Sequence, residues 1–209
     1  MIELTQIVIF IGASFLLCLA PGPDNIYVLT QGITKSKKAA IVTTLGLCSG
    51  LIIHTSAAAL GISVIFQTSE IAFNIVKYLG ALYLLYIAYQ AFKYRNEPLD
   101  LSVENSSSQL KKLFLKGFIM NILNPKVSIF FLAFLPQFVN TQAGNIPMQM
   151  IILGIIFMIM TVIVFSSIGI TANLLSSKLQ KSPSIVKVMN ILTSTVLVAL
   201  GIKLALSER

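Results

Sequence analysis

Two charged side chains sit where a strongly apolar chain tolerates charge least. Asp24 follows Pro21-Gly22-Pro23, and Lys126 follows Asn124-Pro125 about a hundred residues later. Asp24 is the only carboxylate deep in an apolar stretch, and Lys126 is the only basic group at comparable depth. An unpaired charge inside a membrane costs about 2.5 to 3.5 kcal/mol on insertion scales, so each needs a partner or a task. A helix restarting at Pro23 leaves the amides of Asp24, Asn25 and Ile26 unpaired at its positive end, which favours an anion such as an amino-acid carboxylate. Lys126 sits at a comparable start, where the local dipole repels it, and a nearby anion would relieve both. Two uses are open. The pair forms a salt bridge that locks two broken helices together, or it binds the amino and carboxylate groups of a zwitterion, with Asp24 as an alternative carrier of a coupled proton. Coulomb attraction of about 4 kcal/mol at 4 Å and an effective dielectric of 20 offsets much of the insertion cost in either case, so energetics alone do not choose.

The elements that position these residues are interrupted membrane helices. Each proline lacks an amide donor and clashes with the preceding turn. Bilayer hydrocarbon has no water to satisfy the freed groups, so a break at that depth is tolerated only against protein or a cavity, and it marks where a solute is held. Composition agrees: mean hydropathy is +0.89, with 56% hydrophobic and only 11% charged residues, about half the charge of a soluble domain. A span needs about 20 apolar residues, and six fit, at about 5–31, 40–66, 71–93, 113–139, 147–173 and 184–206. The fold class expected is therefore an all-α membrane protein of six transmembrane helices with helices one and four broken. The single domain, 1–209, divides into a first half at about 1–95, a polar linker at about 96–112 and a second half at about 113–209. The apolar run Ile7 to Cys18 lacks the basic flank and cleavage site of a signal peptide and reads as the first span. Cys18 and Cys48 fall within spans and read as packing residues rather than a disulfide framework.

Net charge +8 is explained by orientation rather than by nucleic acid. Eleven basic residues, among them Lys35, Lys37, Lys38, Arg95, Lys111, Lys178 and Lys181, cluster in alternate loops. The opposite segments, around the N-terminus, Glu70 and 140–149, hold only Lys77 just inside span three. The positive-inside rule then places the basic loops in the cytoplasm and both termini outside. The halves also repeat. Pro23-Asp24 aligns with Pro125-Lys126 at an offset of 102, Leu45-Gly46 and Gly61 with Leu153-Gly154 and Gly169 at 108, and Ile75-Val76-Lys77 with Ile185-Val186-Lys187 at 110. Three spans per half is odd, so the second copy enters from the other side: a 3+3 inverted repeat with its site at the repeat interface.

Other residues offer weaker chemistry. His54 lies in mid-span and reads either as a titratable group or as a hydrogen-bonded packing residue. Tyr83, Tyr86 and Gln90 share one face of span three and could line a polar path, while Tyr78 and Tyr94 read as interface anchors. Gly46-x-x-x-Gly50 is a close-packing face, internal to the bundle or at a homodimer seam. Asn121 and Asn124 read first as partners of freed backbone groups in span four and second as substrate contacts. An embedded enzyme would need paired carboxylates, a His-Glu-x-x-His helix or a nucleophile with its base, and none is present. A metal exporter would need several ligands where only Asp24 and His54 qualify. A thiol-disulfide carrier would need cysteines beside both breaks, and only Cys18 lies near one. No cofactor motif or nucleic-acid module is found; the partners expected are a small-molecule substrate and the lipid bilayer.

Taken in order, Pro21-Gly22-Pro23, Gly46, Gly50 and His54, Gly80 with Tyr83-Leu84 and Gln90, Asn121-Ile122-Leu123-Asn124-Pro125-Lys126 and Pro136-Gln137-Phe138 resemble the LysE/RhtB family of amino-acid exporters along essentially the whole chain. The resemblance implies a six-span inner-membrane exporter of amino acids or their derivatives, powered by the proton gradient. One position departs from it. Where several relatives have an acidic residue in the middle of span five, this chain has Thr161, which leaves fewer membrane carboxylates for proton coupling and opens the question of substrate class.

Overall fold

The computed structural model describes residues 2–20, 22–62, 70–96, 110–175 and 183–206. Pro21, Lys178, Lys181 and residues 97–109 of the expected linker lie outside the described residues. Eight α-helices follow one another: α1 Leu4–Leu19, α2 Pro23–Thr34, α3 Lys37–Ala57, α4 Glu70–Lys93, α5 Leu110–Ile122, α6 Pro125–Ile129, α7 Ile146–Leu174 and α8 Pro183–Leu206. The end of α3 continues into a π turn, Ala58–Ile62, and α6 continues into a π turn, Phe130–Phe134, and a 3-10 turn, Leu135–Phe138. No strand occurs among the described residues.

Both breaks follow from proline chemistry. A proline that cannot sit inside a helix is well suited to start one, because its fixed φ fits the first turn and its missing amide is an orphan there anyway. Pro23 and Pro125 each occupy that first turn. The axes of α1 and α2 differ by 59°, and those of α5 and the stretch Pro125–Phe138 by 49°. Lys37–Gly61, Asn74–Lys93 and Ile146–Leu174 are each long and apolar enough to cross a bilayer, and counting each bent pair as one span raises the number to five. Asn190–Leu206 is apolar but shorter.

Packing is reciprocal between the halves. The first bent pair lies against α7 and α8, the second against α3 and α4, while α3 pairs with α7 and α4 with α8. Glycine sets how closely α3 and α5 approach. A Cβ on Gly46 would run into the Phe114 carbonyl, and one on Gly117 would lie 2.7 Å from the Thr43 carbonyl. The Gly46-x-x-x-Gly50 face is therefore used inside the bundle. Six phenylalanines form a continuous cluster beside the breaks: Phe10 contacts Phe138 at 5.1 Å between ring centroids, Phe134 contacts Phe130 at 5.1 Å, and Phe157 contacts Phe130 at 4.9 Å and Phe131 at 5.3 Å. Outward faces are apolar, with Ile152, Ile155, Ile159 and Ile163 of α7 all exposed at helical spacing, as a lipid-facing stripe requires.

Candidate functional site

The two breaks meet. At the end of α1 the amide of Ala20 still bonds the Leu16 carbonyl at 2.9 Å, but the prolines that follow cannot donate to the next carbonyls. Two side chains take over. Asn25 Nδ2 donates to the Cys18 carbonyl, and Lys126 Nζ, from the other half of the chain, donates to the Ala20 carbonyl at 2.6 Å. This resolves the electrostatic problem that Lys126 poses. Its backbone lies at the positive start of α6, but its ammonium reaches the carbonyl end of α1, where the dipole is negative. The stem crosses Gly22, where a Cβ would lie 3.4 Å from Nζ. The second break is closed by Asn124, whose Oδ1 accepts the Lys126 amide at 3.0 Å. Gly22 has no side chain with which to cap α2, so its start depends on its own backbone: the Ile26 amide bonds the Gly22 carbonyl at 3.0 Å. The expectation of three free amides is corrected to two, on Asp24 and Asn25, because the ladder begins at Ile26.

Asp24 is 2% exposed and is held by the opposite half: Asn121 Nδ2 donates to its Oδ2 at 2.8 Å. The Asn121 side chain thus serves Asp24 and not the backbone of its own span, which corrects the first expectation for this residue. Its carbonyl is the group with local partners, accepting from the Asn124 amide at 3.0 Å and from His54 Nε2 at 3.0 Å. A carbonyl only accepts, so Nε2 carries the proton in that bond. His54 is therefore one residue removed from Asp24, its ring tilted against Phe131 at 5.8 Å between centroids. Gly50 makes room for this arrangement, since a Cβ there would sit 2.7 Å from Asn121 Oδ1.

Asp24 and Lys126 do not form an ion pair, with no nitrogen–oxygen approach within 4.0 Å between them. They nevertheless line the same cavity, together with Asn25, Asn121 and Asn124. Its volume is about 20 Å³, room for a single water. An amino acid is several times larger, so occupation requires the walls to move. Three buried oxygens around it have no partner: Asp24 Oδ1, Asn25 Oδ1 and Asn121 Oδ1. The amide orientations are set by acceptors on the other side, a carbonyl for Asn25 and a carboxylate for Asn121, so the unpaired atom in each is the oxygen. Buried acceptors left unpaired cost about 1 to 3 kcal/mol each. The site is thus short of hydrogen-bond donors, which an ammonium group supplies.

Two polar residues that were not read as site residues also line the cavity. Cys18 Sγ lies 3.5 Å from Thr161 Oγ1, and that hydroxyl donates to the Phe157 carbonyl at 2.9 Å. In the sequence Thr161 stands out only as a departure from the family pattern; its place in the cavity depends on how α7 packs. Both cysteines are free thiols. Tyr83 and Gln90 are not brought to the cavity. The buried face of α4 includes Lys77, Ala81, Leu84 and Ala88, while Tyr83 and Gln90 are half-buried and Tyr86 is exposed and accepts from Gln90 Nε2 at 2.8 Å. A larger cleft of about 540 Å³ lies behind α1, between Leu16, Leu19, Ile168 and Leu192, but its only polar side chains are Ser167 and Thr171. Among the described residues no three His, Cys, Asp or Glu lie close enough together to hold a metal ion.

The chain is 32% identical over 206 residues to the uncharacterized membrane protein YrhP of Bacillus subtilis, covering 95% of this chain and 97% of that protein. It is 30% identical over 178 residues to the leucine efflux protein of an Enterobacter species, covering 81% and 82%. It is 28% identical over 196 residues to the homoserine/homoserine lactone efflux protein of Salmonella typhimurium, covering 94% of each. No solved structure matches the chain. The model of the LysE type translocator family matches residues 5–208, across both breaks and every residue of the cavity between them, and the chain belongs to that family.

Proposed function

We propose that this protein exports amino acids or their derivatives across the cell inner membrane by alternating access around the two helix breaks. One observation carries the reading. Asp24 and Lys126 are both buried, face one cavity and are not spent on each other, so a negative and a positive group remain for the ammonium and carboxylate of a zwitterion. Asn25, Asn121 and Asn124, with Gly22, Pro23 and Pro125, build the frame, and His54 supports Asn121 from behind. Relatives named for efflux of leucine and of homoserine or its lactone point to the same substrate class.

The architecture that suits this work is a 3+3 inverted repeat of six spans, 1–95 and 113–209 about a linker at 96–112. The reciprocal packing supports it: exchanging the halves maps the first bent pair on α7 and α8 onto the second on α3 and α4. Charge distribution supports basic loops in the cytoplasm and both termini outside. Asp24 Oδ1 has no partner, which makes this carboxyl the candidate to take up a proton when substrate leaves and so couple export to the proton gradient. The protein works as a transporter and not as an enzyme. The test is efflux of a labelled amino-acid panel from cells overexpressing the protein, with and without a protonophore. Export of leucine or homoserine above the vector control, abolished by the protonophore, is expected. Retention of every amino acid at control levels would sink the reading.

A further inference from the structure

We infer that the exported amino acid carries an uncharged side chain, selected by the walls of the cavity. This rests on the reading of Asp24 and Lys126 as partners of the α-ammonium and α-carboxylate. Once those two are assigned, no charge remains on the lining. What is left is apolar, Leu17, Leu51, Val127, Phe157 and Phe165, or neutral and polar, the three asparagines with Cys18 and Thr161. Thr161 has committed its hydroxyl proton to the Phe157 carbonyl at 2.9 Å. Behind Phe157 the wall continues as rings, Phe130 at 4.9 Å and Phe131 at 5.3 Å. Lys203 Nζ lies over the Phe138 ring at 5.2 Å, and neither it nor buried Lys77 belongs to the lining. His54 has its Nε2 on the Asn121 carbonyl and its ring on Phe131, outside the lining. A lysine, arginine or glutamate side chain would therefore bring a third charge into a buried site with no counter-ion. At the insertion cost of such a charge, discrimination against it is on the order of 100-fold in kcat/KM.

The test uses the intact protein in liposomes and counterflow of labelled leucine, homoserine, lysine, glutamate and histidine. Histidine provides a control within one substrate, because its side chain is about one-tenth neutral at pH 5.5 and almost wholly neutral at pH 8. Its rate is read as a ratio to leucine at each pH, which divides out any pH effect common to both substrates. The expected result is leucine and homoserine at least about 50-fold above lysine and glutamate in kcat/KM, with the histidine-to-leucine ratio rising about tenfold from pH 5.5 to pH 8. Lysine within threefold of leucine, or a ratio that is flat or falls with pH, overturns the inference while leaving the amino-acid exporter reading intact. Transport of none of the five overturns both.

Discussion

Replacing Asp24 by Asn and Lys126 by Met, singly and together, separates two ways of keeping opposite charges inside a membrane protein. In a contact ion pair, removing either partner costs about 3 to 5 kcal/mol, and removing both recovers most of it. Here each charge has its own neutral partner, Asn121 for Asp24 at 2.8 Å and the Ala20 carbonyl for Lys126 at 2.6 Å. Asp24→Asn exchanges a hydrogen bond to a charged group for a neutral one, a loss of about 1 kcal/mol, and Lys126→Met leaves a buried carbonyl unpaired, about 2 kcal/mol. Groups without a shared bond should add within about 0.5 kcal/mol. For a chain of 209 residues, at about 3 °C per kcal/mol, Tm should fall by about 3 °C, 6 °C and 9 °C in the two singles and the double. The chain has no tryptophan, but buried Cys18 and half-buried Cys48 are natural reporters, so unfolding in detergent can be followed by thiol labelling. All three variants should insert; Asp24→Asn and the double variant should fail to export leucine, and Lys126→Met should export it with impaired efficiency. A double variant whose Tm equals or exceeds that of the better single, or which transports at the parent rate, would refute the separate holding of the two charges.

Leucinamide has no carboxylate, so Lys126→Met should raise KM for leucine at least about tenfold more than for leucinamide, one charged contact being worth about 1.5 to 3 kcal/mol; equal effects in counterflow would remove Lys126 from substrate binding. Gly46→Ala puts a methyl against the Phe114 carbonyl and should lower Tm by several degrees, whereas Gly61→Ala, with nothing within 4 Å, should be neutral; similar Tm values for the two would contradict the close approach of α3 and α5. Gln90→Ala and Tyr83→Phe lie outside the cavity lining and should leave export within about twofold, a difference of about 0.4 kcal/mol; loss of export in either would show that the tyrosine face carries substrate. Reporter fusions in the loop after Arg95 should read cytoplasmic, and an external signal there would reverse the proposed orientation.

Local rules made the breaks and their cargo of polar residues legible in the sequence. Proline cannot continue a helix, a charge cannot idle in hydrocarbon, and glycine at a four-residue spacing lets backbones touch. From those alone, Asp24, Lys126, Asn25, Asn121 and Asn124 could be chosen as one group, and the use of Gly46 and Gly50 for close packing could be expected. What the linear pattern cannot hold is which of two acceptors a long side chain reaches. Coulomb attraction made an Asp24–Lys126 bridge as plausible as any other arrangement. Only the folded chain, by crossing the start of α6 over the carbonyl end of α1, offers Lys126 the Ala20 carbonyl and leaves Asp24 to Asn121. The same crossing brings Cys18 and Thr161 to one cavity across 143 positions of sequence. A periodicity can show that Tyr83 and Gln90 share a helix face, but not which face of α4 turns inward; that was decided by the fit of Ala81, Leu84 and Ala88 into the core. Helix breaks are properties of residues, whereas partners are properties of distances that exist only once the apolar segments have packed.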